Sequence, residues 1–123
     1  MHFFLSGLSS KVTVLKGILS ELDDKLEEIL NEISARYFDF VFMDHFKHCY
    51  LPDLMLLENK SMLGKGTCIV ADSVGYPEAQ KYMNYLREHP KKIESEEYTS
   101  SAQCLPCKMK VSTYIVDGEH LVT

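Results

Sequence analysis

Two short apolar runs, each stopping at an aspartate, constrain this chain more than any other feature. Phe38-Asp39-Phe40-Val41-Phe42-Met43 leads into Asp44, and Thr67-Cys68-Ile69-Val70-Ala71 leads into Asp72. Near-continuous hydrophobicity over so few residues, rich in aromatic and β-branched side chains, is the pattern of a strand covered on both faces. The first run therefore reads as a central strand. From Pro52 to about Met62 lies an amphipathic segment, with proline at an early helical position and Gly64 placed to end it. Strand, helix and strand in that order call for a right-handed crossover and a parallel pair. Asp44 and Asp72 then fall at the same end of one sheet.

The flanking segments continue the alternation. Lys11-Val12-Thr13-Val14-Leu15-Lys16 is a β-branched run between Ser9-Ser10 and Gly17 and reads as a short strand. Leu22, Leu26, Ile29, Leu30 and Ile33 repeat at helical spacing, with Asp23, Asp24, Glu27, Glu28 and Glu32 on the other side, and Ser20 is placed as N-cap. Glu78 to Glu88 reads as a further helix ended by His89-Pro90, and Lys92 to Thr99 as a polar strand. Val111 to Val116, Asp117-Gly118 and Glu119 to Val122 form the pattern of a hairpin around an Asp-Gly turn.

Bulk properties narrow the class. A chain of 123 residues suits one domain, and an apolar fraction of 46% supplies a core. A net charge of −5, with no run of Lys or Arg, argues against nucleic acid as a partner. The opening Met1-His2-Phe3-Phe4-Leu5-Ser6-Gly7-Leu8 lacks the basic region and apolar length of a signal peptide. No apolar stretch approaches the roughly 18 residues that read as a membrane span, so the expectation is a cytoplasmic protein. In that setting Cys49, Cys68, Cys104 and Cys107 are expected as free thiols.

In open α/β sheets, ligands collect outside the carboxyl ends of the parallel strands. Two carboxylates delivered there offer hard oxygen donors suited to magnesium. Either aspartate alone is more simply a turn cap; the pair in register favours a site. The loop that follows, His45-Phe46-Lys47-His48-Cys49-Tyr50-Leu51-Pro52-Asp53, is dense in reactive and aromatic side chains. A lysine beside a bound cation has its pKa lowered and can act as a base, which singles out Lys47.

Taken together, Val41 to Asp53, Leu56-Leu57-Glu58, Leu63 to Thr67 and Val70-Ala71-Asp72 resemble the catechol O-methyltransferase family, as do Pro77, Val116-Asp117-Gly118, Gly7-Leu8 and Lys11-Val12-Thr13. The likeness runs from about Gly7 to the C-terminus. It implies an α/β fold: a partial Rossmann-like methyltransferase sheet, mostly parallel with a C-terminal antiparallel strand, and lacking its N-terminal half. Residues 1–123 would be the C-terminal part of a single methyltransferase domain. The implied activity is methyl transfer from S-adenosylmethionine to one hydroxyl of a catechol held on Mg²⁺. By position, Asp44, Asp72 and Ser73 match the metal ligands, and Lys47 the base that also touches substrate. Gly17, Ser20, Asp44, His45 and Phe46 fall on the donor side, and Pro77 and Gln103 on the catechol side.

Three departures accompany the likeness. Ser73 replaces an asparagine, Phe46 replaces a tryptophan, and the family's glutamate for the second catechol hydroxyl falls on Gln103 counting from Tyr98 but on Val111 counting back from Val116-Asp117-Gly118, neither of them a carboxylate. The family's glycine-rich loop and ribose-binding acid would precede Met1, so donor binding by this chain alone is expected to be impaired. Two other classes remain open at this stage: a non-catalytic relative that binds another protein, and a zinc module pairing Cys104 and Cys107 with His45, His48 or Cys49. A single Cys-x-x-Cys falls short of the two tight pairs usual in structural zinc. A thioredoxin-like role also fits poorly, because the pair follows polar loop sequence.

Overall fold

The computed structural model describes residues 11–99 and 107–117. Helix α1 spans Leu19–Glu32, strand β1 Phe40–Met43, helix α2 Tyr50–Asn59, strand β2 Cys68–Ala71, helix α3 Gln80–Glu88, strand β3 Ile93–Thr99 and strand β4 Lys108–Tyr114. The sheet order is β1-β2-β4-β3. β1 and β2 are parallel, with Phe40 opposite Cys68 and Met43 opposite Ala71. β4 runs antiparallel to both β2 and β3. Three strands therefore share one direction and β4 is reversed between two of them, which is the expected α/β class with its late antiparallel strand.

Alternation along the strands places the core on one face. Ile69 and Ala71 of β2 and Ser112 and Tyr114 of β4 are buried there with Leu54, Leu57, Tyr82 and Leu86 of the helices. On the opposite face, Phe40 and Phe42 remain 58% and 53% exposed. This corrects the expectation of a central strand: among the described strands β1 is the sheet edge. The apolar run reported burial potential, and burial itself needs a neighbour. The same reason disposes of the strand expected at Lys11 to Lys16, which forms no ladder and leaves Val12 and Val14 exposed.

Two helix ends also differ from expectation. Gly17, at φ 143°, turns the chain early, so α1 starts at Leu19 with Ile18 as N-cap and no side-chain cap bond; Ser20 lies inside the helix. At the end of α2, Ser61 takes the left-handed conformation at φ 58°, and the Met62 N–H donates to Leu57 O at 3.0 Å. Gly64 is required for a different reason, because a Cβ there would sit 2.2 Å from the Tyr37 ring. Of the expected Asp-Gly hairpin, residues 118–123 lie outside the described residues, and the strand before it pairs with β3 instead. No helix among the described residues is long and apolar enough to cross a membrane.

The buried end of the sheet away from Asp44 carries one charged cluster. Glu58, 1% exposed, accepts from the Tyr85 hydroxyl at 2.7 Å and the Tyr114 hydroxyl at 2.6 Å, and from Lys92 Nζ at 3.2 Å. Lys92 also bonds the Tyr85 hydroxyl. Burial first, and the Glu58 carboxylate second, push both phenols far above the usual tyrosine value, so they stay protonated donors. The cluster ties α2, α3, the start of β3 and the end of β4 through one carboxylate. Lys92→Met leaves that carboxylate without its counter-ion and is expected to lower stability by about 3 kcal/mol. Urea denaturation measures this, and Glu58→Gln combined with Lys92→Met should lose less than the sum of the two single changes.

Candidate active site

The last rung of the β1–β2 ladder fixes where the two aspartates emerge. The Asp72 N–H donates to Met43 O at 3.0 Å, so Asp44 and Asp72 leave adjacent strands at the same carboxyl edge. Ser73 follows in the left-handed region at φ 55°, and its N–H donates to Asp72 Oδ1 at 2.8 Å. Asp44 is 53% exposed. A single 3-10 turn, Lys47–Cys49, folds the loop back, and Lys47 Nζ donates to Asp44 Oδ1 at 3.3 Å and to His45 O at 3.0 Å. Asp44, Asp72, Ser73 and Lys47 are thus gathered at one sheet edge.

The Lys47 side chain is only 17% exposed. Burial by itself lowers the amine's pKa, but the Tyr50 hydroxyl and the Asp44 carboxylate outweigh it, and the net direction is upward. The protein's own groups therefore hold Lys47 protonated. The lowering anticipated for a base would have to come from a cation that engages Asp44.

Tyr50 was not singled out by sequence reasoning, yet it is the most enclosed group at this edge. It is fully buried at the first turn of α2, and its hydroxyl reaches Met43 O at 3.1 Å and Asp72 O at 2.8 Å. Lys47 Nζ stands 5.2 Å from the centre of its ring. Burial raises the Tyr50 phenol's pKa, and the nearby lysine opposes the rise. The available signal was its place seven residues after the strand, at the first turn of an apolar helix, where a ring must face the sheet.

Beside this edge lies a cavity of about 720 Å³ between the start of α1 and β1. Gly17, Ser20, His45 and Phe46 all line it, together with Leu22, Leu26, Phe38 and Phe42. His45 Nε2 lies 2.6 Å from Asp53 Oδ2, which fixes the imidazole at the polar rim. Phe46 is strongly exposed and stacks obliquely on His48. Pro77 opens the 3-10 turn Pro77–Ala79, which packs against the Lys47–Cys49 turn, so it borders the lysine side of the site. Gln103 and Cys104 lie outside the described residues.

The donor chemistry fits the groups that the resemblance implies. Two carboxylates and a hydroxyl are hard oxygen ligands of the kind Mg²⁺ takes while keeping several waters. A mostly apolar cavity of this size with a few polar groups at its rim suits an adenosyl cofactor. Among the described residues no group of three or more His, Cys, Asp or Glu could hold a metal ion, whether zinc or magnesium, so a Mg²⁺ site here would draw on two carboxylates and the Ser73 hydroxyl. Cys49 and Cys68 are free thiols, but Cys107 is disulfide-bonded, against the expectation of free thiols throughout, and so has no thiolate to give a cation.

The chain is 39% identical over 82 residues to the catechol O-methyltransferase of Bos taurus, a match covering 67% of this chain and 29% of that protein. The chain is related to the catechol O-methyltransferases. It spans well under two thirds of the length of such relatives. Among solved structures, a putative O-methyltransferase from Klebsiella pneumoniae superposes with a TM-score of 0.65 at 16% identity, over 93% of this chain and 54% of that one. The O-methyltransferase of Bacillus cereus, solved in complex with SAH, superposes with a TM-score of 0.54 at 17% identity, over 74% of this chain and 46% of that one. At these identities the two structures carry the fold alone. No protein-family model matches the chain.

Ser73, which the resemblance sets against a family asparagine, occupies a left-handed backbone position that serine enters at a cost. Ser73→Asn is expected to stabilise the protein by about 0.5 kcal/mol, because asparagine adopts the left-handed region more readily. A higher urea midpoint at unchanged slope is the measurement.

Proposed function

We propose that this chain forms the catechol-binding part of an S-adenosylmethionine-dependent O-methyltransferase, with Asp44, Asp72 and Ser73 holding Mg²⁺ and Lys47 as the base. One observation carries the reading: Lys47 Nζ sits on Asp44 at the strand edge shared with Asp72, next to the cavity lined by Gly17, Ser20, His45 and Phe46. When bound, the metal supplies positive charge that orients and acidifies a catechol hydroxyl, and the sulfonium donor supplies the methyl group.

The chain's own residues have separate tasks. Asp44 and Asp72 present oxygen ligands from two strand ends that the parallel ladder brings to one edge. Lys47 takes the hydroxyl proton at Nζ; Asp44 is one of the groups that keep the ammonium protonated, so engaging that carboxylate elsewhere releases the amine for the task. His45, held by Asp53, and the exposed Phe46 ring form the donor side of the boundary, and Pro77 the apolar wall on the acceptor side. Gln103 is assigned to the second catechol hydroxyl by position alone. As an amide it can hydrogen-bond that hydroxyl without the charge of a carboxylate.

The match spans 29% of the Bos taurus relative's length, so the test joins a family-type N-terminal half ahead of Met1 and assays methyl transfer to catechol with Mg²⁺. Turnover is expected, and Asp44→Ala and Lys47→Ala should each reduce kcat/KM by about 10²-fold or more. A joined protein that folds, binds S-adenosylmethionine and still transfers no methyl group would defeat the proposal.

A further inference from the structure

We propose that Tyr50 is the positioning residue of the carboxylate pair: its phenol cross-links the two strand ends and so holds Asp44 and Asp72 at a fixed spacing. The inference rests on the metal-site reading given above and adds a residue to it. The paired register ends at Met43 and Ala71, and the Asp72 N–H to Met43 O bond closes the ladder just beyond it. Asp44 leads into the Lys47–Cys49 turn, while Ser73 turns the other strand through a left-handed step. Past the paired register the Asp72 N–H to Met43 O bond is a backbone tie between the strands, and a side chain must supply any further one.

The Tyr50 hydroxyl lies between the two strand ends. It reaches Met43 O, the carbonyl before Asp44, at 3.1 Å and Asp72 O at 2.8 Å, so one proton is shared between the two strands. Met43 O also accepts from the Asp72 N–H at 3.0 Å, which makes a closed link of phenol, carbonyl and amide. The ring is fixed in turn. It is fully buried, meets Tyr82 edge-on at 5.6 Å and lies 5.2 Å from the His45 ring. A phenol anchored this way, from a helix packed on the sheet, transmits the rigidity of the core to the exposed edge. Tyr50 bonds backbone on both strands and leaves both carboxylates available, while its ring also faces Lys47 Nζ at 5.2 Å.

Tyr50→Phe keeps the ring and removes the link. Two readouts on the 123-residue chain test the proposal. Backbone amide exchange of Asp72 and Ser73 should become at least about tenfold faster, and the Kd for Mn²⁺, followed by electron paramagnetic resonance, should rise about tenfold. Tyr114→Phe removes a buried hydroxyl from the far end of the sheet and should move neither. Unchanged exchange at Asp72 in the Tyr50→Phe protein overturns the proposal. So does faster exchange with unaltered Mn²⁺ affinity, because the strand ends would then loosen without consequence for the carboxylates. If the unmodified chain binds no Mn²⁺, the metal-site reading falls, and with it the claim that Tyr50 serves a metal; exchange then reports only whether the strand link exists.

Discussion

In the parallel ladder from Phe40 opposite Cys68 to Met43 opposite Ala71, both strands finish at the same edge. The chain must therefore leave each strand on the same side, and the residues just past the ends become neighbours although they are far apart in sequence. Asp44 and Asp72 are those residues. The crossover between them is α2, whose first turn begins beside Asp44 and whose last turn reaches Glu58 at the other end of the sheet. The position of the site follows from this one pairing.

The two ends of α2 treat charge in opposite ways. At the Glu58 end the carboxylate is buried and consumed by Tyr85, Tyr114 and Lys92. Nothing is left over for a ligand, and the cluster serves to bind layers together. At the Asp44 end the carboxylate is half exposed and its ion-pair partner is Lys47 Nζ at 3.3 Å. An exposed, weakly held carboxylate can exchange its lysine for another cation at small cost, whereas a buried one cannot. Rigidity at one end of the helix and availability at the other give the fold a stable base and a usable edge, with Tyr50 conveying the first to the second.

Much of this was legible from residue order. The apolar runs ending at Asp44 and Asp72 located two strands, the 3.6-residue spacing of Leu22 to Ile33 located α1, and the polar run from Lys92 was correctly taken as a strand. What failed were inferences about neighbours. Phe40 and Phe42 read as central but lie at the edge among the described strands; Lys11 to Lys16 reads as a strand but joins no ladder among the described residues. Capping failed for a related reason. Ser20 had the right chemistry, but the turn at Gly17 set the start of the helix before serine could be used, and Ser61 took the left-handed role that glycine chemistry had assigned to Gly64.

By itself the sequence determined the α/β class, the order of most of its elements from α1 to β4 and the placing of two aspartates at strand ends, because those depend on side-chain periodicity and on residue type at strand ends. The tertiary structure alone decided that β1 is the edge among the described strands, that Lys47 is held charged by Asp44 and Tyr50, and that a tyrosine phenol joins the two strand ends. The physical reason is common to all three. Burial, pKa and hydrogen bonding across strands are properties of pairs of groups, and only folding brings those pairs together.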